Sequence, residues 1–319
     1  MLFLTLVGGL VLLVVGGDLL VRGAVNVARR FNVSPLMIGL TLVGFGTSTP
    51  ELVTSLQAAA VDSPGIAIGN VVGSNIANIL LILGLAALMK PILVDGKALK
   101  RDGSMVVIAT AACAAAILVG TLSPIAGFAF IAGLIGYVVY TYRMERGSPA
   151  AADVHAHEAE TVGSTPGGLW AGIGLFVVGL TATIFGARFL VDGAVDLARG
   201  FGISETVIGL TIVAVGTSLP ELVTSVMAAL RNQSDVAFGN VVGSNIYNIL
   251  GILGITAIVI PVPVPPEIMR LDLWVMIAAT ALLLVFAVSG RRITRWEGGV
   301  LVALYLAYLA LLGTTMQAA

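Results

Sequence analysis

Charge is scarce in this 319-residue chain: charged residues make up 10% of it, against about 25% in ordinary soluble domains. With 58% hydrophobic residues and a mean hydropathy of +1.06, a water-soluble globule is excluded and a polytopic membrane protein is implied. A net charge of −1 leaves no basic surface for nucleic acid. The single cysteine, Cys113, excludes an intramolecular disulfide. The two histidines, His155 and His157, both fall in one polar stretch and read as solvated loop residues, so no apolar run carries an imidazole. There is no H-E-x-x-H zinc signature and no Gly-x-Ser-x-Gly nucleophile. The first residues lack the basic n-region and small-residue cleavage pattern of a signal peptide, so they read as a retained helix.

What the chain has in abundance is long apolar runs. Spanning a bilayer takes about 20 residues, and ten segments qualify: Leu2 to Arg29, Ser34 to Ala60, Pro64 to Met89, Ser104 to Gly120, Pro124 to Tyr142, Leu169 to Arg199, Ser204 to Leu230, Asp235 to Ile260, Leu271 to Ser289 and Trp296 to Thr315. The polar stretch 143–168 divides them into halves of five, 1–142 and 169–319, and reads as a cytoplasmic linker. An odd number of spans per half turns the second copy upside down relative to the first. Basic residues favour the cytoplasmic side. With both termini outside, the inside collects Arg29, Arg30, Lys90, Lys97, Lys100, Arg101, Arg143, Arg146, Arg231, Arg291, Arg292 and Arg295, and the outside only Arg199 and Arg270.

The halves are related by a duplication. Gly46-Thr47-Ser48-Thr49-Pro50-Glu51 and Gly69-Asn70-Val71-Val72-Gly73-Ser74-Asn75 recur 170 positions later as Gly216-Thr217-Ser218-Leu219-Pro220-Glu221 and Gly239-Asn240-Val241-Val242-Gly243-Ser244-Asn245. Asp18 and Arg22, four apart on the first helix, map onto Arg188 and Asp192 with the signs exchanged and read as structural pairs tethering two long helices. Pro50 and Pro220 disfavour helix just before themselves. The second and seventh helices should therefore break near the Thr-Ser pair, freeing carbonyls around Gly44 to Thr47 and Ala214 to Thr217. Such backbone is tolerated at membrane depth only when buried or lining a cavity.

Asn70, Ser74 and Asn78 fall four apart, as do Asn240, Ser244 and Asn248, giving polar stripes on the third and eighth helices. A stripe of small residues also suits close helix packing, and Thr54, Ser55, Thr224 and Ser225 read as packing or supporting residues. Glu51 and Glu221 resist that reading, because an ionisable group inside a span is costly and normally faces protein or water. The inventory is carboxylate, hydroxyl, amide and carbonyl oxygen, which suits Ca²⁺ and, by similar logic, Na⁺ rather than softer metals. Two carboxylates can be neutralised by one Ca²⁺, two Na⁺ or two protons, and such competition is the chemistry of exchange. A passive cation channel and an intramembrane acid/base enzyme are the remote alternatives.

Taken together, these paired motifs resemble the two alpha-repeats of the calcium/cation antiporter superfamily, specifically the prokaryotic sodium/calcium exchanger group, over the whole chain. The resemblance implies an all-α membrane protein of ten helices in two inverted repeats, with helices 2, 3, 7 and 8 broken around a midplane ion site. It implies Glu51 and Glu221 as central cation-binding carboxylates. Thr47, Ser48, Ser74, Asn78, Thr217, Ser218, Ser244 and Asn248 would add oxygens, with carbonyls near Gly44 and Ala214. The long first and sixth helices would slide against the other eight. The implied activity is Ca²⁺/Na⁺ exchange in a prokaryotic plasma membrane, without an enzymatic reaction or a cofactor, by a chain whose partners are its ions and the bilayer and for which a monomer is one option. Relatives often carry Asp at one of the positions held here by Asn78 and Asn248. Ca²⁺/H⁺ or K⁺-dependent exchange therefore stays open as an alternative.

Overall fold

A computed structural model describes residues 2–31, 33–61, 64–145, 168–200 and 214–317. Most of the linker, including His155 and His157, and the upstream part of the seventh helix lie outside the described residues. The helices are α1 (Leu2–Phe31), α2 (Pro35–Thr47), α3 (Thr49–Ala60), α4 (Gly65–Met89), α5 (Gly96–Leu118), α6 (Pro124–Glu145), α7 (Gly168–Gly200), α8 (Ala214–Thr217), α9 (Leu219–Leu230), α10 (Ser234–Val259), α11 (Ile268–Gly290) and α12 (Arg295–Gln317). Among the described residues, eight helices are long and apolar enough to cross a membrane, or nine if α2 and α3 count as one bent span. Four short strands, β1 (Ile92–Leu93), β2 (Thr121–Leu122), β3 (Val262–Pro263) and β4 (Arg292–Ile293), pair antiparallel as β1 with β4 and β2 with β3.

The chain forms two compact units. One comprises Met1–Pro50 and Val138–Asn240, the other Glu51–Tyr137 and Val241–Ala319.

In the first unit, α1 packs antiparallel along α7, and glycine sets the contact. Gly9, Gly16 and Gly23 recur every seven residues on α1 and meet Gly186, Gly179 and Gly172 on α7. A Cβ at Gly16 would lie 2.7 Å from the Thr183 nitrogen and 2.9 Å from the Gly179 oxygen, so the two backbones are too close for any side chain between them. Without a hydrophobic drive between helices in lipid, this close backbone approach supplies the association. The opposite face of α1 carries exposed Leu10, Val11, Val14 and Val15, the composition of a lipid-facing surface. Asp18 pairs with Arg22 at 3.0 Å and also with Arg231, beyond the end of α9. The sign-exchanged counterpart differs: Arg188 and Asp192 are exposed, and no ion pair joins them.

The second unit is organised by α4 and by α10 from Val241 onward. Some 78% and 83% of the apolar windows of these two helices are buried, against 17 to 39% for α5, α6, α11 and α12, which therefore form the lipid-facing layer. Thr110 and Thr280, 170 positions apart, lie 3.4 Å from each other across α5 and α11. Asp102 is wholly buried at the start of α5, but Arg101 (2.6 Å) and the Tyr137 hydroxyl (2.9 Å) bond it. Its counterpart Asp272 accepts the Tyr308 hydroxyl at 2.8 Å. Pairing of this kind is what makes a carboxylate tolerable in a span.

The expected interruptions take two forms. The second helix bends by 44° at Ser48, where Pro50 withholds a backbone donor. Ser218 repeats that turn with φ −90° and ψ 8°. The third and eighth helices, expected to break, instead run on through π-helical turns at Asn78–Leu83 and Tyr247–Leu253. Each turn runs into a glycine, Gly84 or Gly254, and neither contains a proline, so no backbone donor is lost and the helix only widens by a residue.

Candidate site of buried oxygens

The motif segments place their polar groups out of water. In the first unit Glu221, 1% exposed, sits in the first turn of α9 directly after the turn at Ser218. That turn faces the equivalent one in α2, and the Ser48 hydroxyl donates to Glu221 Oε1 at 2.8 Å. Glu221 Oε2 is buried and accepts no hydrogen bond among the described residues. The Thr47 hydroxyl lies 3.0 Å from the Val43 carbonyl and 3.2 Å from Asn240 Oδ1. Both amide hydrogens of Asn240 are spent on the neighbouring helix, one on the Glu221 carbonyl (3.2 Å) and one on Ser225 Oγ (2.9 Å).

The second unit repeats the clamp. Asn70 donates to the Glu51 carbonyl at 3.0 Å and to Ser55 Oγ at 2.9 Å. Glu51 is 1% exposed in the first turn of α3. Asn70 and Asn240, members of the polar stripes, thus hold the backbone from which each glutamate projects. Ser55 and Ser225 complete that support.

Further along α4 and α10 lies a cluster of four asparagines, Asn75, Asn78, Asn245 and Asn248, each 1% exposed. Asn78 Nδ2 donates to Asn245 Oδ1 at 3.0 Å, and Asn245 Nδ2 reaches the Asn75 carbonyl at 3.5 Å. Asn75 Nδ2 donates back to the Val71 carbonyl at 2.8 Å. Each donation fixes which way an amide points. As a result, among the described residues Asn75 Oδ1 and Asn78 Oδ1 are left buried with no donor, and neither polar atom of the Asn248 amide has a partner. Unsatisfied buried polar groups cost about 1–3 kcal/mol each, so their accumulation at one place calls for a polar occupant.

Of the twelve positions singled out in the sequence, the first unit holds Gly44, Thr47, Ser48, Ala214, Thr217, Ser218 and Glu221, and the second Glu51, Ser74, Asn78, Ser244 and Asn248. Thr47, Ser48, Ser74, Ser218 and Ser244 are buried, and Thr217 is half-buried. The carbonyls expected to be free around Gly44 are engaged: α2 stays wound through Gly44–Thr47, and the Gly44 oxygen accepts the Ser48 N–H at 3.2 Å. Only Ser48 itself leaves helical geometry, which confines the break to a single turn. Asn75 and Asn245 were missed by the four-residue stripes. Asn75 precedes Asn78 by three, a spacing that shares a helix face and could have flagged it.

No group of three or more His, Cys, Asp or Glu side chains gathers among the described residues. A cation held here must therefore take most of its ligands from neutral oxygens, as Ca²⁺ and Na⁺ do and Zn²⁺ does not. The family model described as "Sodium/calcium exchanger protein" matches residues 1–143 and 171–314. Sodium/calcium exchanger MaX1 of Methanosarcina acetivorans is 37% identical over 97% of this chain and 98% of its own length. Inner membrane protein YrbG of Escherichia coli is 36% identical over 85% of this chain and 84% of its own. A solved structure of the sodium-calcium exchanger NCX_Mj, soaked with zero Na⁺ and Ca²⁺, superposes with a TM-score of 0.84 at 36% identity, covering 98% of this chain and 100% of that one. A duplicated Pro-Glu motif, two buried glutamates and a family match over both halves lead to one conclusion: the chain belongs to the sodium/calcium exchanger protein family.

Proposed function

We propose that the protein is a secondary antiporter that exchanges Ca²⁺ for Na⁺ by alternating access, and that Glu51 and Glu221 are its cation-binding carboxylates. The observation that carries the reading is Glu221: a carboxylate 1% exposed, with one oxygen held by Ser48 and the other accepting no hydrogen bond among the described residues. Leaving a buried charge uncompensated is strongly destabilising, and a cargo cation supplies the compensation. The hydroxyls of Thr47, Ser48, Ser74, Thr217, Ser218 and Ser244 and the amide oxygens of Asn78 and Asn248 are the further ligands in this proposal, with the carbonyl near Ala214; the Gly44 carbonyl, engaged by the Ser48 N–H, is left out of the set. Residues 1–142 and 169–319 are its two inverted repeats, joined by a cytoplasmic linker, with both termini outside the plasma membrane.

The second reading, Ca²⁺/H⁺ exchange, rests on Asn at both position 78 and position 248. Two carboxylates give a formal charge of −2, which one Ca²⁺, two Na⁺ or two protons balance equally. Reconstituted Ca²⁺ uptake with Na⁺, K⁺ and pH gradients imposed one at a time decides between them. Uptake driven by an outward Na⁺ gradient supports the first reading, and uptake driven by ΔpH without sodium replaces it with the second. Uptake that no gradient drives refutes both.

A further inference from the structure

A groove of about 360 Å³ opens in the second unit between the first turns of α5 and the end of α11. Its walls are apolar, formed by Leu99, Val107, Leu284 and Val288, and its polar end carries Lys100 and Arg291. Val107 and Val288 are 42% and 65% exposed on helices that span the membrane, so the groove continues into a lipid-facing surface. Arg291 adopts a left-handed backbone, φ 50° and ψ 30°, an uncommon state for a residue with a side chain. Its guanidinium lies against Gly96: a Cβ there would stand 3.1 Å from Arg291 Cζ, tighter than most packing allows.

Among the described residues neither cation is paired with a carboxylate. The side chains of Lys100 and Arg291 make no ion pair or hydrogen bond among the described residues. The nearby carboxylates bond other groups: Asp95 caps the Lys97 and Ala98 N–H groups at 3.0 and 2.8 Å, Asp102 is buried against Arg101 and Tyr137, and Glu297 accepts from Ser289 at 3.3 Å and from Thr294 at 2.7 Å. The β1–β4 pairing draws together the chain around Lys97 and Arg292, so the excess of basic residues there is local. Trp296, 81% exposed in the first turn of α12, suits the headgroup level where amphipathic rings collect.

We propose that this groove is a binding site for an anionic phospholipid. Its phosphate would accept from Lys100 and Arg291, and its acyl chain would run along Val107, Leu284 and Val288. Basic pockets between membrane helices recognise anionic headgroups in this way. The apolar walls select a lipid over a free phosphate, and the uncompensated pair of cations selects an anionic lipid over a zwitterionic one.

The test uses the full-length protein in detergent, with native mass spectrometry read against titrated phosphatidylglycerol, phosphatidylcholine and inorganic phosphate. Phosphatidylglycerol should be retained in preference to the other two. The double variant Lys100→Gln/Arg291→Gly should weaken that retention about 30-fold, because glycine accepts the left-handed backbone while both charges are lost. The charge-conserving double variant Lys100→Arg/Arg291→Lys should retain it. Equal retention of the two lipids by the unaltered protein would overturn the proposal, and so would retention of inorganic phosphate in preference to either lipid. Undiminished phosphatidylglycerol binding by the charge-free variant would do the same. Because the comparison of lipids needs no variant, the proposal stays open to refutation even if the double variant fails to fold.

Discussion

Replacing Asn245 by leucine separates the orientation of an amide from its presence. Asn78 Nδ2 donates to Asn245 Oδ1 at 3.0 Å with both residues 1% exposed, and this bond turns Asn78 Oδ1 toward the position where we propose it meets a cation. Asn245→Leu keeps the volume but strands the Asn78 donor, at a cost of about 1–3 kcal/mol. The amide then rotates to satisfy its hydrogens, and its oxygen leaves the ligand set. Expressed in the apparent KM for Ca²⁺ in Na⁺-driven proteoliposome uptake, that energy is a rise of about 5-fold to 150-fold. Asn245→Asp retains an acceptor for Asn78 and should raise KM far less. The decisive comparison is the double variant with Asn78→Ala. If Asn245 acts through Asn78, its loss adds nothing once the Asn78 amide is gone, and the double variant matches Asn78→Ala. Effects that multiply would refute the reasoning, as would an unchanged KM in Asn245→Leu.

Four further outcomes are expected. Gly16→Ala forces a methyl to within 2.7 Å of the α7 backbone, and should cost about 1–3 kcal/mol in detergent thermal unfolding. Gly8→Ala, with nothing within 4 Å, should leave the midpoint unchanged. Tyr137→Phe removes a 2.9 Å hydrogen bond to buried Asp102 and should lower stability by about 1.5–3 kcal/mol. Asn248→Asp adds a third carboxylate to the proposed site, and should convert an electroneutral cycle to one that carries current, read from membrane potential during Ca²⁺ uptake.

The sequence made the break at Ser48 readable, because a proline two residues on cannot donate to the helix and a glutamate follows at once. It also pointed to Glu51 and Glu221, since an acid inside an apolar run is costly enough to need a reason. The glycine heptad of α1 and α7 stood in plain view as spacing, yet nothing in the spacing said which helix it meets. That is decided by tertiary packing. The π-helical turns have no compositional mark, so the third and eighth helices were expected to break where they only widen. Asn70 and Asn240 share a residue type and a face with Asn78 and Asn248, but their amide hydrogens turn out to be spent on backbone and serine. Hydrogen-bond partners 15 to 19 residues away make that distinction, and periodicity does not contain them. The same limit hid Arg231 as the second partner of Asp18, 213 residues away.

Equilibrium binding of radioactive Ca²⁺ to the purified protein under increasing Na⁺ asks whether two buried carboxylates hold rival cations in turn. Saturable Ca²⁺ binding that Na⁺ displaces is expected, lost in Glu51→Gln and in Glu221→Gln while both variants remain folded. Ca²⁺ bound as tightly by either variant as by the unaltered chain, or Ca²⁺ that Na⁺ cannot displace, would contradict it.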